Sequence, residues 1–218
     1  TRVRAMSASS PLSRSGPMCR QQRPRAAWKA SVWPVMELSD PKLDPFWAMA
    51  SKLSAAVYLH PMFVCGEPRL ADYDLVNGVG RLVDTTIAVS RLLFSGHLLK
   101  YPGMKFVLSH GGGGIPYALG RLNRNYVNSQ GKFADPRKGF AAMYFDSCVF
   151  DTDALDYLIG KAGVDRVMLG SDAPFPIGDP EPLKVFKDAK LTDAQKNTIL
   201  SATAQTVFKV RADAWTRG

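Results

Sequence analysis

Four short apolar runs mark the chain, at residues 55–59, 105–109, 142–146 and 166–170. Each has the length of a strand and is rich in Val, Phe, Tyr, Met and Leu. Apolar runs of this length without strict alternation are typical of strands that are buried on both faces. The pattern therefore predicts four strands of a buried parallel sheet.

Helical periodicity fills the intervals between these runs. Apolar residues recur three or four positions apart in residues 46–53, 75–93, 115–122 and 151–159, which predicts a helix in each stretch. Gly96 and Pro102 follow the second stretch and indicate that its helix ends there. A final helix is expected to open at Thr192 and Gln195, whose spacing fits a capping box.

Alternation of strands and helices indicates an α/β fold with a parallel sheet covered by helices. Two architectures fit four strands. The first is about half of a (β/α)8 barrel, since a full barrel takes about 250 residues and only 182 follow residue 36 (218 − 36). The second is a freestanding four-stranded sheet in a doubly wound fold.

The charge of the chain is concentrated at its N-terminus. Residues 1–36 carry seven basic and no acidic residues, so +7 of the net charge of +9 lies there. This Arg-, Ser- and Pro-rich segment has no apolar period and is expected to be disordered. Three interpretations remain open for it: a targeting segment, a nucleic-acid-binding arm, or sequence that is not native coding sequence. We expect residues 37–218 to form the folded domain.

Composition narrows the remaining possibilities. With 46% hydrophobic and 22% charged residues the chain can bury a core, and no uncharged apolar stretch approaches the ~20 residues of a membrane span. Cys19, Cys65 and Cys148 are far apart and form no CxxC pair, so neither a disulfide framework nor a cysteine metal site is indicated. We expect a cytoplasmic protein that binds neither membrane nor nucleic acid.

Polar residues with catalytic potential follow three of the four apolar runs. His60 comes directly after the first run, His110 after the second, and Asp172 two residues after the fourth. The carboxyl ends of parallel strands meet at one edge, which is the functional face of a barrel. Any one of these residues could be a satisfied core or capping residue, but three at equivalent positions indicate a metal-dependent enzyme.

The motifs around these residues resemble the amidohydrolase-related family. They are SHGGGG at residues 109–114, GR at 120–121 and GSDAPFP at 170–176, within segments 38–61, 94–126 and 144–176. The match extends over about residues 37–210 and is closest to the family's aminocarboxymuconate semialdehyde decarboxylase branch. The resemblance implies a distorted (β/α)8 TIM barrel, of which this chain would supply the C-terminal half, strands five to eight.

The resemblance also implies roles for individual residues. His60 and Asp172 would be ligands of a divalent metal, expected to be Zn²⁺ for such donors, and Asp172 would also orient the catalytic water. His110 would stay off the metal as a general acid/base. Arg121 would hold a substrate carboxylate across a homodimer interface, although it could equally be an exposed helix arginine. Phe175 would wall the substrate pocket, or simply pack as a core aromatic.

One departure from the family pattern is large. The family's first strand ends in His-x-His, which supplies two metal ligands, and no His-x-His occurs in this sequence, whose three histidines are His60, His97 and His110. The expected function is decarboxylation of a small unsaturated or aromatic carboxylic acid. The alternatives are a hydrolase or hydratase of the same family, or an inactive half-barrel remnant. His97 has no strand-end position and is expected at the surface.

Overall fold

The structure is a computed structural model, which describes residues 36–62 and 68–210. Its sheet contains four strands, Ala56–Leu59 (β1), Lys105–Leu108 (β2), Met143–Asp146 (β3) and Val167–Met168 (β4). All four predicted strands are therefore present within one residue or two of the apolar runs. The predicted disordered segment, residues 1–36, lies outside the described residues except for Met36.

The strands are all parallel and lie in the sheet in chain order, β1-β2-β3-β4. Crossover connections between parallel strands are right-handed, so successive helices come to the same face of the sheet when the strand order does not reverse. A doubly wound sheet needs such a reversal. The order is instead that of successive strands in a singly wound sheet.

Eight α-helices are present in the described part of the chain. Several are joined by short 3₁₀ turns, and two π-helical turns, Val76–Gly80 and Thr198–Ala202, run directly into the helices that follow them. The α-helices are Asp44–Lys52 (α1), Arg81–Phe94 (α2), His97–Lys100 (α3), Ile115–Asn128 (α4), Pro136–Ala141 (α5), Thr152–Ala162 (α6), Asp193–Asn197 (α7) and Thr203–Phe208 (α8).

Local sequence signals explain where several of these helices begin and end. Gly96 adopts a left-handed conformation (φ 75°) after α2, as its position in the sequence predicts. The Asp151 side chain accepts a hydrogen bond from the Ala154 N–H and caps α6. The capping box of Thr192 and Gln195 is present at α7 with both of its bonds. None of the described helices is both long and apolar enough to cross a membrane.

The main core lies between one face of the sheet and the helices. Phe106, Leu108, Met143 and Phe145 point to this face, and all are at most 1% exposed. Buried side chains from α1 to α6 pack against them; the buried members are Trp47, Ala50, Val89, Leu92, Leu93, Leu98, Ile115, Phe140, Leu155 and Leu158. The packing of α1 to α6 on one face agrees with the uninterrupted strand order.

A smaller cluster covers the opposite face. Val107, Tyr144 and Met168 lie there and pack against Val207 of α8. The outer edge of β4 is also occupied, because the Leu169 N–H donates to the Ile199 carbonyl. The C-terminal helical segment therefore folds back against the end of β4.

The edge of β1 differs. No described strand pairs with it on the side away from β2. Beside it, Phe46, Met49 and Leu53 of α1 and the following turn are 53%, 52% and 64% exposed, whereas Trp47 and Ala50 are buried. The predicted helix is present, but its Trp47 side chain enters the core, whereas Phe46, Met49 and Leu53 form an exposed apolar stripe. The stripe lines an apolar groove along β1.

Candidate metal centre

His60 lies one residue beyond the carboxyl end of β1. Its Nε2 is 2.9 Å from the Asp172 Oδ1, and its ring stacks on that of Phe175, with centroids 5.3 Å apart and planes 11° apart. The side chain is partly buried, at 21% exposure. The imidazole is thus held between a carboxylate and an aromatic face.

His110 follows β2 by two residues and begins a tight left-handed turn. Its φ is 52°, and the next three residues, Gly111, Gly112 and Gly113, also have positive φ. A Cβ on Gly112 would lie 2.9 Å from the Phe145 ring, so the turn can sit on β3 only with glycine at this position. The close backbone approach at Gly112 is therefore to Phe145 of β3.

Asp172 joins the two histidines. Its Oδ1 is 3.4 Å from the His110 Nε2 as well as 2.9 Å from the His60 Nε2, and its side chain is only 7% exposed. The two imidazole rings are 4.9 Å apart. The structure therefore brings together all three residues that the strand-end pattern predicts, each arriving from a different strand.

The donor set fits a divalent metal. One atom from each of His60, His110 and Asp172 lies within 4.8 Å of the other two. Imidazole nitrogen and carboxylate oxygen are common ligands of Zn²⁺ and related divalent ions. A nearly buried carboxylate that faces two imidazoles is also a favourable place for a cation, because little solvent is left to stabilise its charge.

The loop after β4 presents both Asp172 and Phe175. The Phe175 N–H donates to the Asp172 carbonyl, and the Asp179 N–H donates to the Ser171 carbonyl, which closes a compact loop. Phe175 is 42% exposed and lies against His60. The structure thus places Phe175 beside the cluster at a solvent-accessible position.

Arg121 is not gathered into the cluster. It lies on α4 with an exposed side chain and makes no hydrogen bond or ion pair with any residue in the part of the chain that the structure describes. Arg124, one turn further along the same helix, is also exposed. Within the described residues, Arg121 is thus an exposed helix arginine outside the His60, His110 and Asp172 cluster.

Asp146 is a polar residue next to the cluster that the sequence analysis did not select. It ends β3, is 3% exposed, and accepts hydrogen bonds from the Tyr58 hydroxyl and the Gly111 N–H. Burial, reinforced by the Asp146 charge, raises the pKa of Tyr58 well above its ordinary value, so the phenol stays protonated. The signal was the same as for the other three: Asp146 also stands at a strand end.

Two other side chains differ from or extend the sequence-based picture. His97 is buried, at 6% exposure, and not at the surface. It packs near Trp47 and Tyr101 because α3 is folded against α1.

Cys148, the free cysteine of the described residues, is buried beside Asp146. Burial raises the pKa of its thiol to about 12, which makes it a poor nucleophile at neutral pH.

Comparison with known proteins decides the family. Residues 26–210 match the family model described as Amidohydrolase. The chain belongs to the amidohydrolase family. The match spans the strands and all three cluster residues, and it agrees with the SHGGGG, GR and GSDAPFP motifs.

Two relatives at 30% identity or more are named as decarboxylases. The chain is 32% identical over 173 residues to 2-amino-3-carboxymuconate-6-semialdehyde decarboxylase of Dictyostelium discoideum, which covers 77% of this chain and 48% of the relative. It is 30% identical over 183 residues to gamma-resorcylate decarboxylase of a Polaromonas strain, covering 76% of this chain and 54% of that protein. The chain thus spans about half the length of these relatives.

A solved structure supports the same relationship. The chain is similar to dihydroxybenzoic acid decarboxylase from Polaromonas, a structure with bound manganese and the inhibitor 2-nitroresorcinol. The TM-score is 0.70 at 26% identity, over 85% of this chain and 59% of the other. The α/β fold with its parallel sheet is therefore that of amidohydrolase-family decarboxylases.

Proposed function

We propose that this chain carries the metal-dependent cluster of a carboxy-lyase that decarboxylates a small unsaturated or aromatic carboxylic acid. The observation that carries the proposal is the convergence of His60, His110 and Asp172 at the carboxyl end of three strands. The similarity to decarboxylases that act on such acids supports the choice of reaction.

His60 and Asp172 are the proposed metal ligands, with Zn²⁺ as the proposed ion. Two protein ligands are fewer than the three that catalytic zinc sites normally use, so further ligands would come from outside the described residues. When bound, a divalent cation supplies Lewis acidity that stabilises negative charge on a substrate oxygen. Manganese in the similar dihydroxybenzoic acid decarboxylase makes Mn²⁺ the first ion to compare with Zn²⁺.

His110 is the proposed proton carrier, together with Asp172. Decarboxylation breaks the bond between the carboxylate and its neighbouring carbon, leaves the electron pair on that carbon, and releases CO₂. The carbon must then take up one proton. The proposal assigns this proton to His110, and the support is that its Nε2 lies 3.4 Å from the Asp172 carboxylate, which can hold and orient the imidazole.

Arg121 and Phe175 are the proposed substrate-binding residues. Phe175 offers an exposed aromatic face that already stacks on His60, which suits a planar unsaturated acid. The exposed guanidinium of Arg121 would reach the active site of a second subunit and bind the carboxylate of the substrate held there. The proposal therefore includes a homodimer. A planar fork of N–H donors matches a carboxylate geometrically.

We also propose that the four strands correspond to strands five to eight of a (β/α)8 barrel. Their uninterrupted order, the open β1 edge and the exposed Phe46, Met49 and Leu53 beside it support this assignment. Further strands would pair with β1 and cover this apolar groove. A cytoplasmic location is proposed from the buried free thiol of Cys148, which is ordinary in a reducing compartment.

The activity test uses the chain alone and the chain co-expressed with the N-terminal half of the Dictyostelium relative. Purified protein loaded with Zn²⁺ or Mn²⁺ is assayed for CO₂ release from carboxylated phenols and carboxylated dienes. We expect CO₂ release by the completed assembly and its loss in His110→Ala. If the assembly hydrolyses esters or hydrates double bonds without releasing CO₂, the hydrolase or hydratase alternative replaces the decarboxylase.

Arg121 gives a second test in the same assembly. Arg121→Ala should raise KM about tenfold to a hundredfold, the equivalent of the ~1.5–3 kcal/mol of a hydrogen bond to a charged group. The matched control is Arg124→Ala, since both side chains are exposed on α4. Equal KM values for the two variants would remove Arg121 from the substrate site.

A further inference from the structure

Asp146 links the backbone segments that carry the three cluster residues, without touching any of the three side chains. It is the last residue of β3 and its side chain is buried. Each carboxylate oxygen is engaged: Oδ1 accepts from the Gly111 N–H at 3.0 Å and the Cys148 N–H at 3.1 Å, and Oδ2 accepts from the Tyr58 hydroxyl at 2.8 Å. A buried carboxylate needs such partners to be tolerated.

The bond to Gly111 fixes the turn that presents His110. His110 itself has a φ of 52°, in the left-handed region that non-glycine residues adopt uncommonly, although His, Asn and Asp are enriched there. Such backbone persists only when its surroundings hold it in place. The Gly111 N–H is the first backbone donor after His110, so the Asp146 carboxylate holds the turn at the point where it starts.

The bond to Tyr58 extends the same link to His60. Tyr58 and His60 are two residues apart on one segment, so their backbone positions are coupled through β1. Tyr58 as a residue is 47% exposed, yet its hydroxyl reaches the buried Asp146 carboxylate across β2. This hydrogen bond therefore ties the strand that leads to His60 to the end of β3.

Gly170 makes room for Asp146 on the third segment. A Cβ on Gly170 would lie 2.7 Å from the Asp146 Cβ and 2.9 Å from its Cγ. Gly170 precedes Asp172 by two residues. The Asp146 side chain consequently packs against the backbone that leads to Asp172, and only glycine permits this packing.

We propose that Asp146 is a positioning residue that sets the geometry of the His60, His110 and Asp172 cluster, chiefly by holding the His110 turn. The inference rests on the proposed function in taking these three residues as the site. Its chemical content is independent of turnover: the carboxylate acts as a fixed acceptor for backbone N–H groups and for Tyr58. Asp146 itself touches no substrate and is not a catalytic residue.

The test observes the histidines directly. The chain has three histidines, so the full-length protein labelled with ¹³C-histidine gives three imidazole Cε1–H signals, assigned with His60→Asn, His97→Asn and His110→Asn. At one fixed pH, without metal, Asp146→Ala should displace the His110 signal and leave that of His97 in place. His97 is an internal reference because it lies outside the cluster, on α3, where it faces Asp44 of α1.

Three variants separate positioning from general destabilisation. Asp151→Ala removes a carboxylate that accepts a backbone N–H at the start of α6, so it should lower stability without moving the His110 signal. Asp146→Asn should restore most of the His110 position, because its amide oxygen can still accept the two N–H bonds. Tyr58→Phe removes one bond only and should displace the His110 signal less than Asp146→Ala does.

The result that overturns the proposal is a folded Asp146→Ala protein whose His110 signal moves no more than in Asp151→Ala. If Asp146→Ala does not fold, Gly170→Ala decides the matter, since it keeps the carboxylate but forces it aside; an unmoved His110 signal there overturns the proposal equally. Loss of CO₂ release alone tests the proposed function and not this inference, because the spectrum needs neither metal nor substrate.

Discussion

At the residue scale, the position of a side chain relative to the end of a strand carried most of the predictive information. His60, His110 and Asp172 could be selected from sequence because each follows an apolar run, and the structure places them within one cluster. Asp146 obeys the same rule and was missed, since it closes the run at 142–146 and reads as part of the strand. Its hydrogen bonds to Gly111 and Tyr58 join residues far apart in sequence, which no local pattern encodes.

The division of roles within the cluster is testable by metal content. With His60 and Asp172 as ligands and His110 off the metal, His60→Asn and Asp172→Asn should lower Zn²⁺ or Mn²⁺ affinity by more than about 100-fold, since loss of a partner of a ligand alone costs about 10- to 100-fold. His110→Asn should cost less than about 100-fold, because it removes only a neighbour of the ligand Asp172. Metal titration of each purified variant by calorimetry, with His97→Asn as the control outside the cluster, checks this. Equal losses for His110→Asn and His60→Asn would make His110 a ligand.

At the element scale, strands and helix caps could be predicted, but departures from regular helix could not. The stretch at 75–93 was predicted as one helix and is divided into a π-helical turn, Val76–Gly80, and α2. The C-terminal helix is interrupted in the same way at Thr198–Ala202. A π turn shifts the hydrogen bonds by one residue while leaving the apolar spacing nearly intact, so periodicity does not reveal it. Which face of α1 enters the core was also not encoded, because Trp47 and Phe46 are adjacent and both apolar.

The contact between α1 and α3 gives the protein a pH-dependent stability. Burial lowers the pKa of His97 below its ordinary value of 6.5, although the Asp44 carboxylate opposes this shift and Lys100 adds to it. The unfolded chain therefore takes up the His97 proton at a higher pH than the folded protein does. This contribution to stability is present above about pH 6.5 and is lost as the pH falls towards the lower, folded-state pKa.

Urea unfolding at pH 7.5 and pH 5.5 measures this effect. His97→Gln should lose less stability on acidification than the parent chain does, because the glutamine has no proton to take up. Asp44→Asn should lose more, since removing the carboxylate lowers the pKa of His97 further. A pH dependence that is the same in all three proteins would show that His97 does not control it.

At the scale of the whole molecule, the sequence predicted a parallel α/β sheet but not which segments cover its edges and its second face. Stretches with strand-like and helix-like apolar patterns alternate along the chain, and this local signal is enough to give the fold class. The contact of Leu169 with Ile199, and of Val207 with the second face of the sheet, depends on where the last helical segment returns. Apolar residues such as Val207 show that this segment packs, but not against which surface.

Removing residues 1–36 tests the predicted division of the chain. The described core is built from residues 38–207, with Trp47 as its first fully enclosed side chain. The deletion should therefore leave the far-UV circular dichroism of residues 37–218 intact. It should change Tm by no more than about 2 °C, which is less than the shift that a loss of ~1 kcal/mol would cause.

The same deletion changes the charge of the protein. The net charge falls from +9 to +2, because the segment holds +7 (9 − 7 = 2). Retention on heparin should fall accordingly, since attraction to a polyanion scales with the number of cationic contacts. As a control, the full chain with Arg20, Arg23 and Arg25 changed to Gln keeps its length at a net charge of +6 (9 − 3 = 6), and it should elute between the other two. A drop in Tm of several degrees on deletion, without one in the triple variant, would show that residues 1–36 belong to the folded domain.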